Sequence, residues 1–252
     1  MLHNSRFSTK NCQISCCLLA QAQQLAAEIL TNGGFESGLA GWTVDDQAGG
    51  DGTFFIQSGT QTPLSDPAFP IAVPAPPEGS NAAMTDAFGP GAHVLYQDFV
   101  ASPGVALLNF DLFILNGGGE FETPDSLLFD LTDVIGENTQ NQQIRVDILR
   151  VSALLDPFSV DPSDVLANLF ITLPGDVPPD GYTTITRDLT SLMGSHAGQT
   201  LRLRFAETDN LGPLNLGVDN VRFDTRNTVP EPATLLLAAA VLAALAGTLR
   251  RR

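Results

Sequence analysis

Thr200-Leu201-Arg202-Leu203-Arg204-Phe205-Ala206-Glu207 alternates apolar and charged side chains almost residue by residue. A period of two belongs to a β-strand with one buried face, because successive side chains leave an extended chain on opposite sides. The pattern predicts Leu201, Leu203 and Phe205 inward, and Arg202 and Arg204 outward. Gln143–Val151 repeats it, with Ile144, Val146 and Ile148 on one face and Arg145 and Asp147 on the other. Further out lie Val94–Val100, Val165–Leu173 and Tyr182–Leu189, each strand-like. Val105–Leu115 is apolar on both parities, as in a strand covered on both faces. Breaks separate these runs: the proline-rich Pro63–Pro77, the tip Asn116-Gly117-Gly118-Gly119 and the polar Asp133–Asn141. One helical turn is predicted at Leu189–Met193, with Thr190 or Ser191 as its cap. Many short strands and little helix predict an all-β, antiparallel β-sandwich.

The last strand-like run carries an irregularity. Leu214, Leu216 and Val218 share one parity, whereas Val221 and Phe223 share the other. The phase changes at Asp219-Asn220, which predicts a β-bulge there and a re-aimed Asp219 side chain.

Composition narrows the function classes. The 252 residues hold 28 acidic against 12 basic side chains, a net charge of −16. Lys10 is the only lysine, and Arg250, Arg251 and Arg252 end the chain, so the middle is more acidic still. Such a surface repels phosphate backbones and argues against nucleic-acid partners. It suits hard cations such as Ca²⁺. Cys12, Cys16 and Cys17 all lie near the start, so the body has neither a disulfide framework nor a cysteine zinc site.

Three segments are expected: a leader at 1–27, a sandwich at 28–226 and a tail at 227–252. Arg6 and Lys10 precede a short apolar stretch, Ile14–Ala20, and Ala20-Gln21-Ala22 offers a small-x-small cleavage site. In the tail, Pro230-Glu231-Pro232 leads into the uncharged run Ala233–Leu249 and then three arginines. As a helix that run measures about 25 Å, slightly under a ~30 Å hydrocarbon core. The expectation is a single C-terminal transmembrane helix with the body exported. Arg250, Arg251 and Arg252 would stay cytoplasmic and stop transfer at the inner membrane.

The tail resembles the PEP-CTERM sorting signal in its proline-flanked glutamate, apolar span and basic end. That resemblance implies processing by an exosortase at Pro230, Glu231 and Pro232. It also implies a cell-surface or extracellular destination in a bacterium that makes extracellular polysaccharide. A second resemblance brackets the body. Asn32-Gly33-Gly34-Phe35-Glu36, Gly41-Trp42 and the closing Asp219-Asn220-Val221 resemble the galactose-binding-like jelly rolls, which include many carbohydrate-binding modules. In several of these a structural Ca²⁺ sits between the opening loop and the final strand. Carried over, Glu36 and Asp219 would be side-chain ligands, and Gly34 would offer its backbone carbonyl. A second reading of Glu36 and Asp219 stands beside this one: both hydrogen-bond turn backbone.

Trp42 is expected in the core. Tyr96 and Tyr182 are candidate sugar-contacting residues, with a tyrosine on a wetted sheet face as the alternative. Asp209 and Asn210 would line a binding loop or close the last hairpin. Gly194-Ser195-His196-Ala197-Gly198 places its serine one position too early for a nucleophile elbow. There is no His-Glu-x-x-His, P-loop or dinucleotide fingerprint. The reading is a non-catalytic cell-surface or matrix protein associated with polysaccharide. A structural biofilm protein without a sugar site and a small glycan hydrolase remain as alternatives.

Overall fold

The computed structural model describes residues 29–63, 71–86, 88–129 and 139–226. The elements run β1 (Thr43–Asp46), β2 (Phe54–Ser58), β3 (Asn81–Thr85), β4 (Gly91–Val100), β5 (Val105–Asn116) and β6 (Gln142–Arg150). Then come β7 (Val165–Ile171), β8 (Thr183–Asp188), α1 (Thr190–Ser195), β9 (Thr200–Asp209) and β10 (Leu214–Arg226). They build two five-stranded sheets, β1-β4-β9-β6-β7 and β2-β3-β10-β5-β8. All pairings are antiparallel. The all-β antiparallel sandwich read from alternation is the fold. The predicted leader and transmembrane tail lie outside the described residues. No helix among the described residues is long and apolar enough to cross a membrane.

The periodic runs became β4 to β10. Strands β1 to β3 carried no such signal. β1 has four half-wetted or exposed residues, and β3, Asn-Ala-Ala-Met-Thr, is buried on both parities. A strand covered on both faces has no reason to alternate.

Leu201, Leu203 and Phe205 point inward and are fully buried, beside Leu95, Ile144, Val146 and Ile148. Phe110 from the opposite sheet meets Phe205 edge-on at 5.5 Å. Trp42 joins this core, 5.3 Å from Phe35 and 6.0 Å from Phe205. Its indole N–H donates to Asn32 O at 3.0 Å, which satisfies the ring's one donor. Burying a side chain of this size is worth roughly 1.5–3 kcal/mol.

Two expectations need correction. Arg204 and Asp147 leave the inter-sheet core, but not for water: both side chains are fully buried. The connection between β6 and β7 folds over that face. Arg204 Nη1 donates to Pro157 O at 2.7 Å and Ser159 O at 2.8 Å, and Nη2 pairs with Asp147. Phe158, Leu127 and Phe129 pack there on Val94 and Ala206 as a second, smaller apolar cluster. The helical turn exists as α1, yet neither Thr190 nor Ser191 caps it. The Leu189 N-cap makes no side-chain bond, and Asp188 Oδ1 accepts the Thr190 N–H at 2.9 Å. The Thr190 hydroxyl is taken by Ala106 N–H at 3.1 Å.

The bulge falls where the phase change put it. The β10–β5 register shifts between Asp219 and Arg222, since Asp219 faces Asp111 and Arg222 faces Asn109. Asn220 takes the extra position at φ 53°. Asparagine tolerates that left-handed conformation better than most residues. The bulge lets Val218 and Val221 both face the core despite opposite parity.

Candidate functional site

The opening loop is a compact turn organised by Asn32. Its side-chain amide donates to Gly38 O at 2.8 Å and Ala40 O at 2.9 Å, and its Oδ1 accepts the Ser37 N–H at 3.1 Å. The loop is joined to the bulge in β10, where Val221 N–H donates to Gly33 O at 2.9 Å. A Cβ on Gly33 would sit 1.8 Å from Val221 O, so only glycine permits that approach. The two ends that bracket the domain in sequence therefore meet in space.

Glu36 and Asp219 both grip the turn at residues 78–81. Glu36 Oε1 accepts Ser80 N–H at 2.7 Å and Asn81 N–H at 2.8 Å. Asp219 Oδ2 accepts Glu78 N–H at 3.0 Å, and its Oδ1 accepts Asn220 N–H at 2.7 Å. Gly34 lies against the Glu78 carboxylate, with Oε2 only 2.0 Å from where a Cβ would stand. Burial, with Glu78 and Asp111 nearby, pushes the Asp219 carboxyl up to about 7 despite those two backbone donors. Gly34, Asp219 and the turn that Glu36 holds are thus neighbours. A cavity of about 290 Å³, lined in part by Gly34, Glu78 and Asn220, opens beside them.

The remaining candidates are dispersed. Tyr96, on β4, is half-buried and covered by Arg202, whose guanidinium carbon lies 3.6 Å from the ring centre. Arg202 is itself held by Asp98 through bonds of 2.6 and 3.0 Å. Tyr182 lies against the other sheet, 5.5 Å from Phe113, and donates its hydroxyl to Gln57 Oε1 at 2.8 Å. Burial first, then the Asp219 and Asp111 carboxylates, drive its pKa well upward. Asn210 fastens the segment before β6: its Oδ1 accepts Asn141 N–H at 2.7 Å and its amide donates to Thr139 O at 3.0 Å. Together with Gly89, Pro90, Asp209 and Leu211–Pro213 it lines a second cavity of about 290 Å³.

Asp209 belongs to a cluster that the alternation pattern, stopped at Glu207, did not reveal. The inward parity of Leu201, Leu203 and Phe205 continues to Glu207 and Asp209. On β4 the parity of Leu95 reaches back to His93, and His93 pairs with Glu207 in the ladder. All three side chains are buried, and one ligand atom from each lies within 4.8 Å of the others. His93 Nδ1 bonds Asp46 Oδ1 at 2.8 Å, and Asp209 Oδ1 accepts Gly91 N–H at 2.8 Å. His93 Nε2 and Glu207 Oε1 are buried with no hydrogen-bond partner. Burial, then the charges of Asp209, Asp86 and Asp46, push Glu207 well above the usual carboxylate range. Asp209 rises to about 7, again chiefly by burial. The triad's geometry and chemistry could hold a metal ion.

No curated protein matches the sequence. Among solved structures, the body is similar to TmCBM61 in complex with β-1,4-galactotriose, at 11% identity, covering 80% of this chain and 100% of that one, TM-score 0.42. It is also similar to a family 11 carbohydrate-binding module from Clostridium thermocellum, in complex with a β-1,3-1,4-mixed-linked tetrasaccharide. That match has 12% identity, 76% and 92% coverage, and TM-score 0.38. The enzymatically active domain of a bacteriophage CBA120 tailspike protein matches at 9% identity, 79% and 21% coverage, and TM-score 0.40. Pro230, Glu231 and Pro232 lie outside the described residues, but the sequence there is matched directly. Residues 228–252 match the PEP-CTERM protein-sorting motif, which implies export, exosortase processing and sorting to the cell surface.

Proposed function

We propose that this chain is a non-catalytic protein of the cell surface or extracellular matrix that holds extracellular polysaccharide. The sorting motif carries the reading, because it delivers an acidic sandwich to the outside of the cell. The candidate sugar contact is the cavity at Gly89-Pro90 and Asp209–Pro213, with Asn210 on its wall. Tyr96 and Tyr182 do not line this cavity, and each is already engaged: Arg202 covers one ring and Gln57 holds the other hydroxyl. Their engagement favours a second reading, a structural matrix protein with no sugar site. Against a hydrolase at this cluster stands the burial of Glu207, 2% exposed, because both carboxyl groups of a glycosidase must flank the scissile bond. A glycan array over extracellular polysaccharides is the test. Binding that weakens in Asn210→Ala supports the reading. No binding to any polysaccharide leaves the structural role, and release of reducing sugar establishes the hydrolase.

The same reading includes a structural Ca²⁺ between the opening loop and β10, with Glu36, Asp219 and the Gly34 carbonyl as ligands. Its support is the build-up of negative charge around Asp219, from Glu78 and Asp111, which a cation would offset. Glu36 and Asp219 already hold backbone N–H groups, so binding would exchange some of those bonds for the ion. Calorimetric titration with Ca²⁺ checks it. Absence of heat, with a melting temperature unmoved by chelator, ends the idea.

A further inference from the structure

We propose that His93, Glu207 and Asp209 form a second metal site, distinct from the Ca²⁺ position, that takes a divalent first-row transition ion of the Zn²⁺ type. The inference goes beyond the polysaccharide reading and stands whether or not a glycan binds.

Three observations carry it. First, two buried ligand atoms, His93 Nε2 and Glu207 Oε1, have no protein partner. Such groups are rare in folded proteins and mark a missing ion or a functional role. Second, the atoms behind the ligands are already in place. Asp46 bonds the far nitrogen of His93 at 2.8 Å, which fixes the tautomer that leaves Nε2 as an electron-pair donor. Gly91 N–H holds Asp209 Oδ1 at 2.8 Å, which orients that carboxylate. Third, glycines keep the surroundings clear. A Cβ on Gly91 would lie 2.3 Å from His93 Nε2 and 2.3 Å from Asp51 O. A Cβ on Gly52 would lie 3.0 Å from the same nitrogen and 2.7 Å from Phe88 O, and one on Gly89 would lie 2.0 Å from Asp209 Oδ2.

Charge and ligand type choose the ion. On binding an ion the two carboxylates would give up any proton and, with a neutral imidazole, offer two negative charges to one divalent cation, with Asp46 and Asp86 adding to the negative field around it. Ca²⁺ and Mg²⁺ take oxygen donors, so the imidazole argues against both. Zn²⁺ accepts nitrogen and carboxylate oxygen at ~2.0–2.2 Å. Asp209 also lines the cavity at Asn210–Pro213, which supplies the route in. The ion would tie β4 to β9, with β1 tied through Asp46, at the end of the sandwich that carries the Asn210 loop.

The test compares the full chain with Glu207→Gln, which keeps the shape and removes the charge. After chelation and dialysis, each is titrated with ZnCl₂ by calorimetry and melted with and without Zn²⁺. Wild type should bind one more Zn²⁺ per chain than the variant, and its Zn²⁺-dependent rise in melting temperature should be absent from the variant. Asp46→Asn keeps all three ligands and should weaken Zn²⁺ binding about tenfold or more. Equal stoichiometry and equal melting shifts in wild type and Glu207→Gln would overturn the proposal. So would unchanged affinity in Asp46→Asn. Zn²⁺ taken up by the N-terminal cysteines appears in every variant alike and cancels. A Ca²⁺ response that persists in Glu207→Gln belongs to the Glu36–Asp219 site, so the two metal readings fail separately.

Discussion

Arg204 and Asp147 form a salt bridge in which neither side chain has any exposure, on the face of the first sheet that points away from the main core. Asp147 also accepts from Arg145 at 2.8 and 3.0 Å and from Asn168 at 2.8 Å. Arg204 in turn holds two carbonyls of the β6–β7 connection. The pair thus fastens a loop over a sheet face and gives that face its own small apolar cluster.

Removing one partner should cost far more than the pair contributes. Arg204→Ala leaves a buried carboxylate short of a partner and frees the Pro157–Ser159 segment. The expected loss is on the order of 3–5 kcal/mol. Chemical denaturation would show it as a fall in midpoint. Arg202→Ala, which loses an exposed partner in Asp98 and the stacking on Tyr96, should cost less, on the order of 1–2 kcal/mol, and serves as the comparison.

The same pair sets an acid dependence. Burial alone would raise the Asp147 pKa, but the Arg204 and Arg145 guanidiniums outweigh it and hold the carboxyl below its usual value. A depressed folded pKa contributes stability above the unfolded value of about 3.9 and loses it as pH falls toward the folded one. The stability difference between wild type and Asp147→Asn should therefore be full at neutral pH and shrink below about pH 4. Denaturation midpoints across that range would check it.

Asn220 sits at φ 53° in the bulge, with its side-chain amide on Asp111 Oδ2 at 3.0 Å. Asn220→Val puts a β-branched residue in the left-handed region and should cost roughly 1–3 kcal/mol. Asn220→Gly should cost less, because only the hydrogen bonds are lost. The order of the two melting temperatures is the measurement.

Trp42→Ala should destabilise by about 3–5 kcal/mol, since the ring packs between Phe35 and Phe205. It should leave polysaccharide binding of the folded fraction unchanged, because the indole is only 7% exposed. Loss of glycan affinity in a folded variant would give the tryptophan a binding role.

Replacing Pro230, Glu231 and Pro232 with alanine should trap the full-length chain in the inner membrane. Fractionation and immunoblotting would reveal it. Unchanged processing would leave the tail as a plain anchor.

The sequence alone determined the strands with one wet or one apolar face, the bulge at Asp219-Asn220, the core place of Trp42 and the sorting motif. Each is a local pattern: alternation, a change of phase, a short fixed string. β1 and β3 stayed hidden because four half-wetted or exposed residues, and alanines covered on both sides, do not alternate. The burial of Arg204 and Asp147 was equally unreadable, since alternation separates the two faces of a strand but does not say what later covers the outer one. Only the tertiary structure brought His93 of β4 to Glu207 and Asp209 of β9. Their parity could have been extended along each strand, but the pairing of strands more than a hundred residues apart was needed to put an imidazole beside two carboxylates. Likewise, Glu36 and Asp219 were candidates by resemblance, and the structure showed them gripping one turn from two ends of the chain. Local periodicity reports which side of a strand is dry, while a site is made by which strands the fold sets side by side.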